Sequence, residues 1–214
     1  YYENPELRAP FLSLVVSGGH TSLYRVTDWD AFEEIGASRD DACGEAFDKV
    51  ARSVGLGYPG GPKIDMEAKL GDPDAIAFPR AKVADGPYDF SFSGLKSAVL
   101  NYINNAQMTG KEIHVPDLCA SFQKTVVDSL VSRTVLVAEK YGVKNVALAG
   151  GVSANSALRR AFRKACEEKG FGCYYPEPVF CTDNGAMIAA AGYYDYLAGD
   201  LADMTLNADP SLKL

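Results

Sequence analysis

Two glycine pairs stand where a chain can close on a small anion. In Ser17-Gly18-Gly19-His20-Thr21 the glycines leave backbone N–H groups uncovered and permit positive φ, so the turn can wrap an oxyanion. Ser17, His20 and Thr21 add hydroxyl and imidazole donors. A tight hairpin turn would use the same residues. Gly150-Gly151-Val152-Ser153 follows an apolar run, and Ser153 is the expected N-cap of a helix at Ala154–Lys169. Strand, glycine turn and capped helix make the geometry in which a nucleotide approaches backbone and a helix N-terminus. Asn155, in the first helical turn, carries an amide that can meet a ligand. Plain strand-to-helix punctuation is the alternative.

Carboxylates form the second group. Glu45 and Asp48 lie three apart, so they share one helix face beside Lys49, and Asp65 follows Gly60-Gly61-Pro62. Such side chains near a nucleotide read ribose hydroxyls or hold a metal, or they form a solvated acidic face. Asp183, in Thr182-Asp183-Asn184-Gly185, is either an N-cap or a ligand projecting from a helix start. The two histidines, His20 and His114, have no metal-site spacing, and His114 reads as a surface or capping residue. The sequence contains no Gly-x4-Gly-Lys-Ser/Thr, HExxH or Gly-x-Ser-x-Gly pattern.

The elements that must position these groups follow from periodicity. Phe11–Val16 and Thr21–Val26 are expected strands joined by the first glycine turn, and Phe32–Ala37 can supply a third. Ala42–Val54 has helical spacing, and Pro62 suits the first turn of a helix reaching about Leu70. Residues 71–94 read as an irregular insert carrying a short hairpin. Helices are expected at Leu95–Asn104, Pro116–Tyr141 and Gly185–Leu197, with strands at Asn145–Ala149 and Cys173–Tyr175. Strands first, then alternating helices and strands, is the order of a ribonuclease-H-like α/β domain with a right-handed parallel crossover. One such domain over residues 1–214, with an insert at roughly 58–115, accounts for the chain.

Composition sets the bounds. The 214 residues are 47% apolar and 23% charged, which is globular and not disordered. No apolar run approaches the ~20 residues of a membrane span, and no leader marks secretion. Five cysteines without a CxxC pair argue against a zinc knuckle or disulfide framework, so reduced thiols and a cytoplasmic setting are expected. The net charge of −7 disfavours a broad basic nucleic-acid surface; Arg159, Arg160, Arg163 and Lys164 leave room for a local one. The start at Tyr1-Tyr2-Glu3-Asn4-Pro5, without Met, is expected of a piece of a longer chain.

Six ordered strings carry a resemblance: Val16-Ser17-Gly18-Gly19-His20-Thr21, Gly44-Glu45-Ala46-Phe47-Asp48-Lys49, Tyr58-Pro59-Gly60-Gly61-Pro62, Asp89-Phe90-Ser91-Phe92-Ser93-Gly94-Leu95-Lys96, Ala149-Gly150-Gly151-Val152-Ser153-Ala154-Asn155 and Cys181-Thr182-Asp183-Asn184-Gly185-Ala186-Met187-Ile188-Ala189. The chain resembles the tRNA N6-adenosine threonylcarbamoyltransferase family, formerly described as O-sialoglycoprotein endopeptidases. The resemblance implies an α/β ribonuclease-H-like lobe of the actin/Hsp70/sugar-kinase fold, with a helical insert. It implies transfer of a threonylcarbamoyl group from threonylcarbamoyl-AMP to N6 of the adenosine beside the anticodon in ANN-decoding tRNAs. The family's substrate-contacting positions fall on Val15, Val16, Ser17, Gly18, Gly19, Asp48, Gly61, Asp65 and Asn155, and its metal-binding carboxylate on Asp183.

The resemblance further implies one divalent metal ion, iron or zinc, per complete subunit, and tRNA, an inactive paralogue and a small ATPase as partners. Family members carry an N-terminal lobe with a His-x-x-x-His pair supplying two metal ligands, which this sequence lacks. The expectation is therefore that this chain alone keeps part of an adenylate pocket and is catalytically incompetent. An ATPase or kinase of the same superfamily, a non-catalytic scaffold and the old metalloprotease assignment are the alternatives.

Overall fold

The computed structural model describes residues 3–81 and 83–208. The Tyr1-Tyr2 opening, Lys82 of the expected insert and residues 209–214 lie outside them. Apolar alternation produces β1 (Phe11–Val16), which pairs antiparallel with β2 (Thr21–Asp28), itself antiparallel to β3 (Ala31–Ala37). On the other side of β1 lies β4 (Asn145–Ala149), parallel to it, and then β5 (Gly172–Tyr174), parallel to β4. The sheet order is β3-β2-β1-β4-β5. Helices are α1 (Cys43–Ser53), α2 (Gly60–Glu67), α3 (Ser93–Thr109), α4 (Val115–Tyr141), α5 (Ser156–Lys169) and α6 (Gly185–Ala198). This is the ribonuclease-H-like arrangement expected from the element order.

Register decides which side chains meet. Leu12 lies opposite Val146 and Leu14 opposite Leu148, so one face of the β1–β4 pair presents a continuous aliphatic surface. Phe47 and Val50 of α1, Phe122 and Val126 of α4, and Leu158 and Phe162 of α5 bury against it. Each such side chain contributes about 1.5–3 kcal/mol on burial. Phe47 and Phe122 meet edge to face at 5.1 Å, the arrangement that the ring quadrupoles favour. Buried hydroxyls inside α4 need partners: Thr125, Ser129 and Thr134 donate to the carbonyls of Ser121, Thr125 and Leu130 at 2.9, 2.8 and 2.8 Å.

Among its described residues the segment before α3 forms no hairpin. Its one ladder contact is an isolated bridge between Ser38 and Phe90, and a carboxylate from elsewhere organises it. Asp40 accepts from Phe92 N and Ser93 N and from the Ser91 and Ser93 hydroxyls at 2.6–3.1 Å, capping α3 from outside. Asp41 beside it accepts from Lys96 at 2.7 Å and Lys49 at 2.9 Å. Partial burial alone would raise the pKa of both carboxyls; these hydrogen bonds outweigh it and hold both below the usual carboxylate value.

α6 is the outlier. Its sequence, GAMIAAAGYYDYLA, is apolar around most of its circumference, yet no residue in it is buried. Its aromatic contact with the sheet is Tyr194 stacked on Trp29, at the β2–β3 turn, with centroids 4.0 Å apart.

A group whose pKa is lowered by folding stabilises above its unfolded value and loses that contribution as pH falls through the folded value. Replacing Asp41 by Asn should therefore cost roughly 1–3 kcal/mol at neutral pH. The difference from the parent should shrink towards zero below about pH 4, as read by urea denaturation across pH. A constant difference would exclude a charge-dependent role.

Candidate functional site: two glycine turns at the sheet's carboxyl edge

β1 and β4 are parallel, so both end on the same edge of the sheet, and each is followed by a glycine turn. At the first, Ser17 N donates to His20 O at 2.8 Å, while Ser17 Oγ accepts from His20 N at 3.0 Å and Gly19 N at 3.3 Å. Gly18 and Gly19 do not adopt positive φ, contrary to expectation. The local hydroxyl closes the turn, and the left-handed region is not needed. Both glycines face open space, so a ligand would meet bare backbone there.

The second turn differs in construction. Gly150 takes φ +87, and a Cβ on it would lie 2.4 Å from the Val16 carbonyl oxygen. Glycine is required here both for its backbone conformation and for close approach. Gly151–Ala154 then forms a 3-10 turn, with Ser153 N bonded to Gly150 O at 2.9 Å. The expected N-cap at Ser153 is therefore corrected: Ser153 is fully buried within the turn, and Asn155 caps α5, its Oδ1 accepting from Leu158 N at 2.9 Å. Asn155 Nδ2 donates to Gln123 Oε1 at 2.7 Å, and the residue is 8% exposed. The side-chain amide expected to meet a ligand thus has both ends held inside the protein.

Other close approaches tie the helices to this edge. A Cβ at Gly44 would lie 2.5 Å from Ser17 O, and Gly44 N donates to that oxygen at 3.2 Å. A Cβ at Gly60 would lie 2.6 Å from the Asp48 Cα, and Asp48 Oδ1 accepts from Gly60 N at 2.7 Å. Glu45 and Asp48 do not act together: Glu45 pairs with Lys49 at 2.7 Å, and Asp48 faces α2. Asp65 reaches α5, where Oδ1 accepts from Ser156 Oγ at 2.8 Å and Oδ2 from Ser156 N at 3.4 Å, with Lys69 3.5 Å away. Gly61 sits half-buried beside Gly60 in the first turn of α2.

Asp183 enters from a third direction. Thr182 Cγ2 lies 3.7 Å from the position of a Cβ on Gly151, so the Thr182-Asp183 segment borders the second turn. Asp183 is not an N-cap; Asn184 caps α6, accepting from Met187 N at 3.0 Å. Asp183 is left exposed. Among the described residues no three His, Cys, Asp or Glu side chains could share a metal ion. Asp183 fits a metal as one oxygen ligand and cannot fix the ion by itself.

Arg159 carries a role that the charge run concealed. Its Nε donates to Ser153 O at 2.7 Å, and its Nη2 to Pro176 O at 2.6 Å and Cys181 Sγ at 3.2 Å. It thereby stitches the second turn to the segment leading to Asp183. The signal was its spacing, four residues after Asn155 and hence on the same helix face. Arg160 donates to Ser156 Oγ, Arg163 to the Tyr175 hydroxyl, and Lys164 pairs with Glu168, so the basic run is engaged within the protein. Burial pushes the Cys43 thiol, next to the first turn's Thr21, up to about 12, which removes it as a nucleophile. His114 pairs with Asp117 at 3.0 Å on the first turn of α4, remote from these turns in the chain.

Residues 1–190 match the model of the tRNA N6-adenosine threonylcarbamoyltransferase family. The chain is 52% identical over all 214 residues to proteins of that name from Clostridium beijerinckii and Clostridium botulinum, and 51% identical to one from Clostridium perfringens. It spans 63% of the length of these relatives. Among solved structures it resembles full-length HypF in a phosphate- and nucleotide-bound form, at TM-score 0.69 and 16% identity, covering 90% of this chain and 40% of that one. HypF of T. kodakarensis superposes at TM-score 0.57 and 22% identity, over 79% of this chain and 21% of that one. These likenesses support the fold alone.

The contact at Gly150 gives a direct test. Gly150→Ala should cost roughly 2–5 kcal/mol, combining left-handed strain with overpacking against Val16. Gly142→Ala, at φ +66 with open space around it, should cost about 1–2 kcal/mol. Equal losses in denaturant unfolding would show that the Val16 contact is not rigid.

Proposed function

This chain belongs to the tRNA N6-adenosine threonylcarbamoyltransferase family, and on that premise we propose that its glycine-lined edge is the adenylate-facing wall of the transfer site. The full-length enzyme moves a threonylcarbamoyl group from threonylcarbamoyl-AMP to N6 of the adenosine adjacent to the anticodon in ANN-decoding tRNAs, releasing AMP. The observation that carries this reading is the convergence of both glycine turns at the carboxyl edge of β1 and β4, where open α/β sheets bind ligands.

The donor is a mixed carbamic–phosphoric anhydride and is already activated. Positioning and charge neutralisation therefore matter more than covalent catalysis. Val15, Val16, Ser17, Gly18 and Gly19 would present backbone to the carbamoyl–phosphate region, where the bare glycines allow close approach. Asp48 and Gly61 would face the ribose and adenine. Asp65 and Asn155 would act on the same substrate mainly by fixing the second turn and the start of α5, since their polar atoms are engaged there. The N-terminus of α5 adds partial positive charge suited to phosphate. Asp183 would supply one oxygen ligand to a divalent cation, iron or zinc, which when bound offers charge stabilisation at the leaving phosphate. tRNA, the paralogous subunit and the small ATPase are the partners proposed for the full-length protein in a cytoplasmic setting. No helix among the described residues is long and apolar enough to cross a membrane.

Full-length protein supplied with threonylcarbamoyl-AMP, its partner subunits and an ANN-decoding tRNA should form threonylcarbamoyladenosine, detected in the nucleoside digest. Asp183→Ala should reduce turnover roughly a hundredfold or more, lower the bound metal, and leave adenine-nucleotide affinity largely intact. Unchanged turnover and metal content would remove Asp183 from the site. Failure of the parent protein to modify tRNA would overturn the reading itself.

A further inference from the structure

Asn155 joins the second glycine turn to α5, and its backbone is spent on that join. Its N–H donates to Val152 O at 2.9 Å, and its carbonyl accepts from Arg159 N at 3.1 Å. Oδ1 caps the helix at Leu158 N. Serine or aspartate would cap as well, so the nitrogen end of the amide is not needed for the helix. That end donates to Gln123 Oε1 at 2.7 Å. Nδ2 carries two hydrogens, and this contact engages one of them.

Gln123 is polar where its surroundings are not. It shares a face of α4 with Cys119 and Val127, four residues to either side and both buried, and is itself 4% exposed. An apolar side chain of the same length would fill that space without the cost of desolvating an amide. The adjacent Phe122, edge to face with Phe47, ties this stretch of α4 to the core, so Gln123 offers a fixed acceptor. Ser153, inside the turn, gives no comparable bond: its hydroxyl is buried and has no partner among the described residues. At Ser153 and Asn155 the side-chain ties are thus Arg159 on the Ser153 carbonyl and Gln123 on the Asn155 amide.

We propose that Gln123 is a positioning residue of the adenylate site. By holding one Nδ2 hydrogen it fixes the Asn155 amide and leaves the second hydrogen as a donor to an acceptor atom of the adenylate. Oδ1 is committed to the Leu158 N–H, which can only donate, so the amide cannot turn over without losing both bonds. Remove the Gln123 carbonyl and the cap on α5 stays, but the direction of the remaining N–H is no longer set. The proposal rests on the reading of the glycine-lined edge as adenylate-facing and adds the residue that holds its amide donor in place.

The test is AMP binding by the full-length protein, followed by titration calorimetry. Gln123→Met, which keeps the length and removes the acceptor, should weaken AMP binding about tenfold. Asn155→Ser, which keeps a capping oxygen and removes the amide, should weaken it by a similar factor. Combining the two should bring no further loss, because Gln123 acts only through Asn155. Gln123→Glu, which keeps an oxygen at the acceptor position, should recover affinity to within about threefold of the parent. In the transfer reaction the KM for threonylcarbamoyl-AMP should rise in step, with kcat within about twofold of the parent. Unaltered AMP affinity in Gln123→Met, or losses that multiply in the double variant, would overturn the proposal and leave the transfer reading intact. Should Gln123→Met fail to fold, the side-chain amide spectrum of the parent decides. AMP should shift one of the two Asn155 N–H signals, and two unmoved signals would overturn the proposal. A parent protein that binds no AMP would overturn the adenylate reading and this proposal with it.

Discussion

The site depends on backbone meeting backbone without an intervening Cβ. Gly150 against Val16, Gly44 against Ser17 and Gly60 against Asp48 each leave less than the room a methyl group needs. These contacts bring β1, β4, α1 and α2 to one edge and set the spacing there. Close packing makes such contacts stiff, because a dense interior cannot absorb an added carbon without moving its neighbours. The aliphatic face of β1 and β4 supplies the adhesion, and the glycines determine how near the elements may come.

The polar side chains divide their labour around that frame. Asp65, Asn155, Gln123 and Arg159 use their hydrogen-bonding atoms inside the protein, linking α2, α4, α5 and the segment before α6 to the second turn. Asp183 has no such engagement among the described residues and remains exposed. A carboxylate satisfied by its own fold holds geometry; one left open has capacity for a ligand. That contrast separates residues of the same type that spacing alone placed in one class.

Much of this was legible in the sequence because it rests on short-range rules. Period-two and period-three-to-four apolar patterns located the strands and most helices, and α4 and α5 end at Gly142 and Gly170 in the left-handed region. What was hidden depended on contacts distant in the chain. Ser153 looked like the cap because serine before an apolar run usually is one; the 3-10 turn moved that task to Asn155 two residues on. The insert at residues 71–94 read as carrying a short hairpin, but Asp40, some fifty residues earlier, takes the donors of Phe92 and Ser93 at its end. The charge run at Arg159–Lys164 concealed an inward-reaching arginine, whose mark was its spacing from Asn155 and not its residue type. No local pattern encodes which carboxylate will be consumed by a partner on another helix.

The bare surface of α6 has a calorimetric consequence. Met187, Ile188, Tyr193, Tyr196 and Leu197 are 44–66% exposed, so this helix keeps apolar hydration that the core-facing sides of α1, α4 and α5 have shed. Any event that covers it withdraws apolar area from water, and the signature of that withdrawal is a negative change in heat capacity. The enthalpy of such an event must then become more negative as temperature rises. A temperature series of titrations would register the covering of α6 even where no chromophore, charge or chemical step reports it.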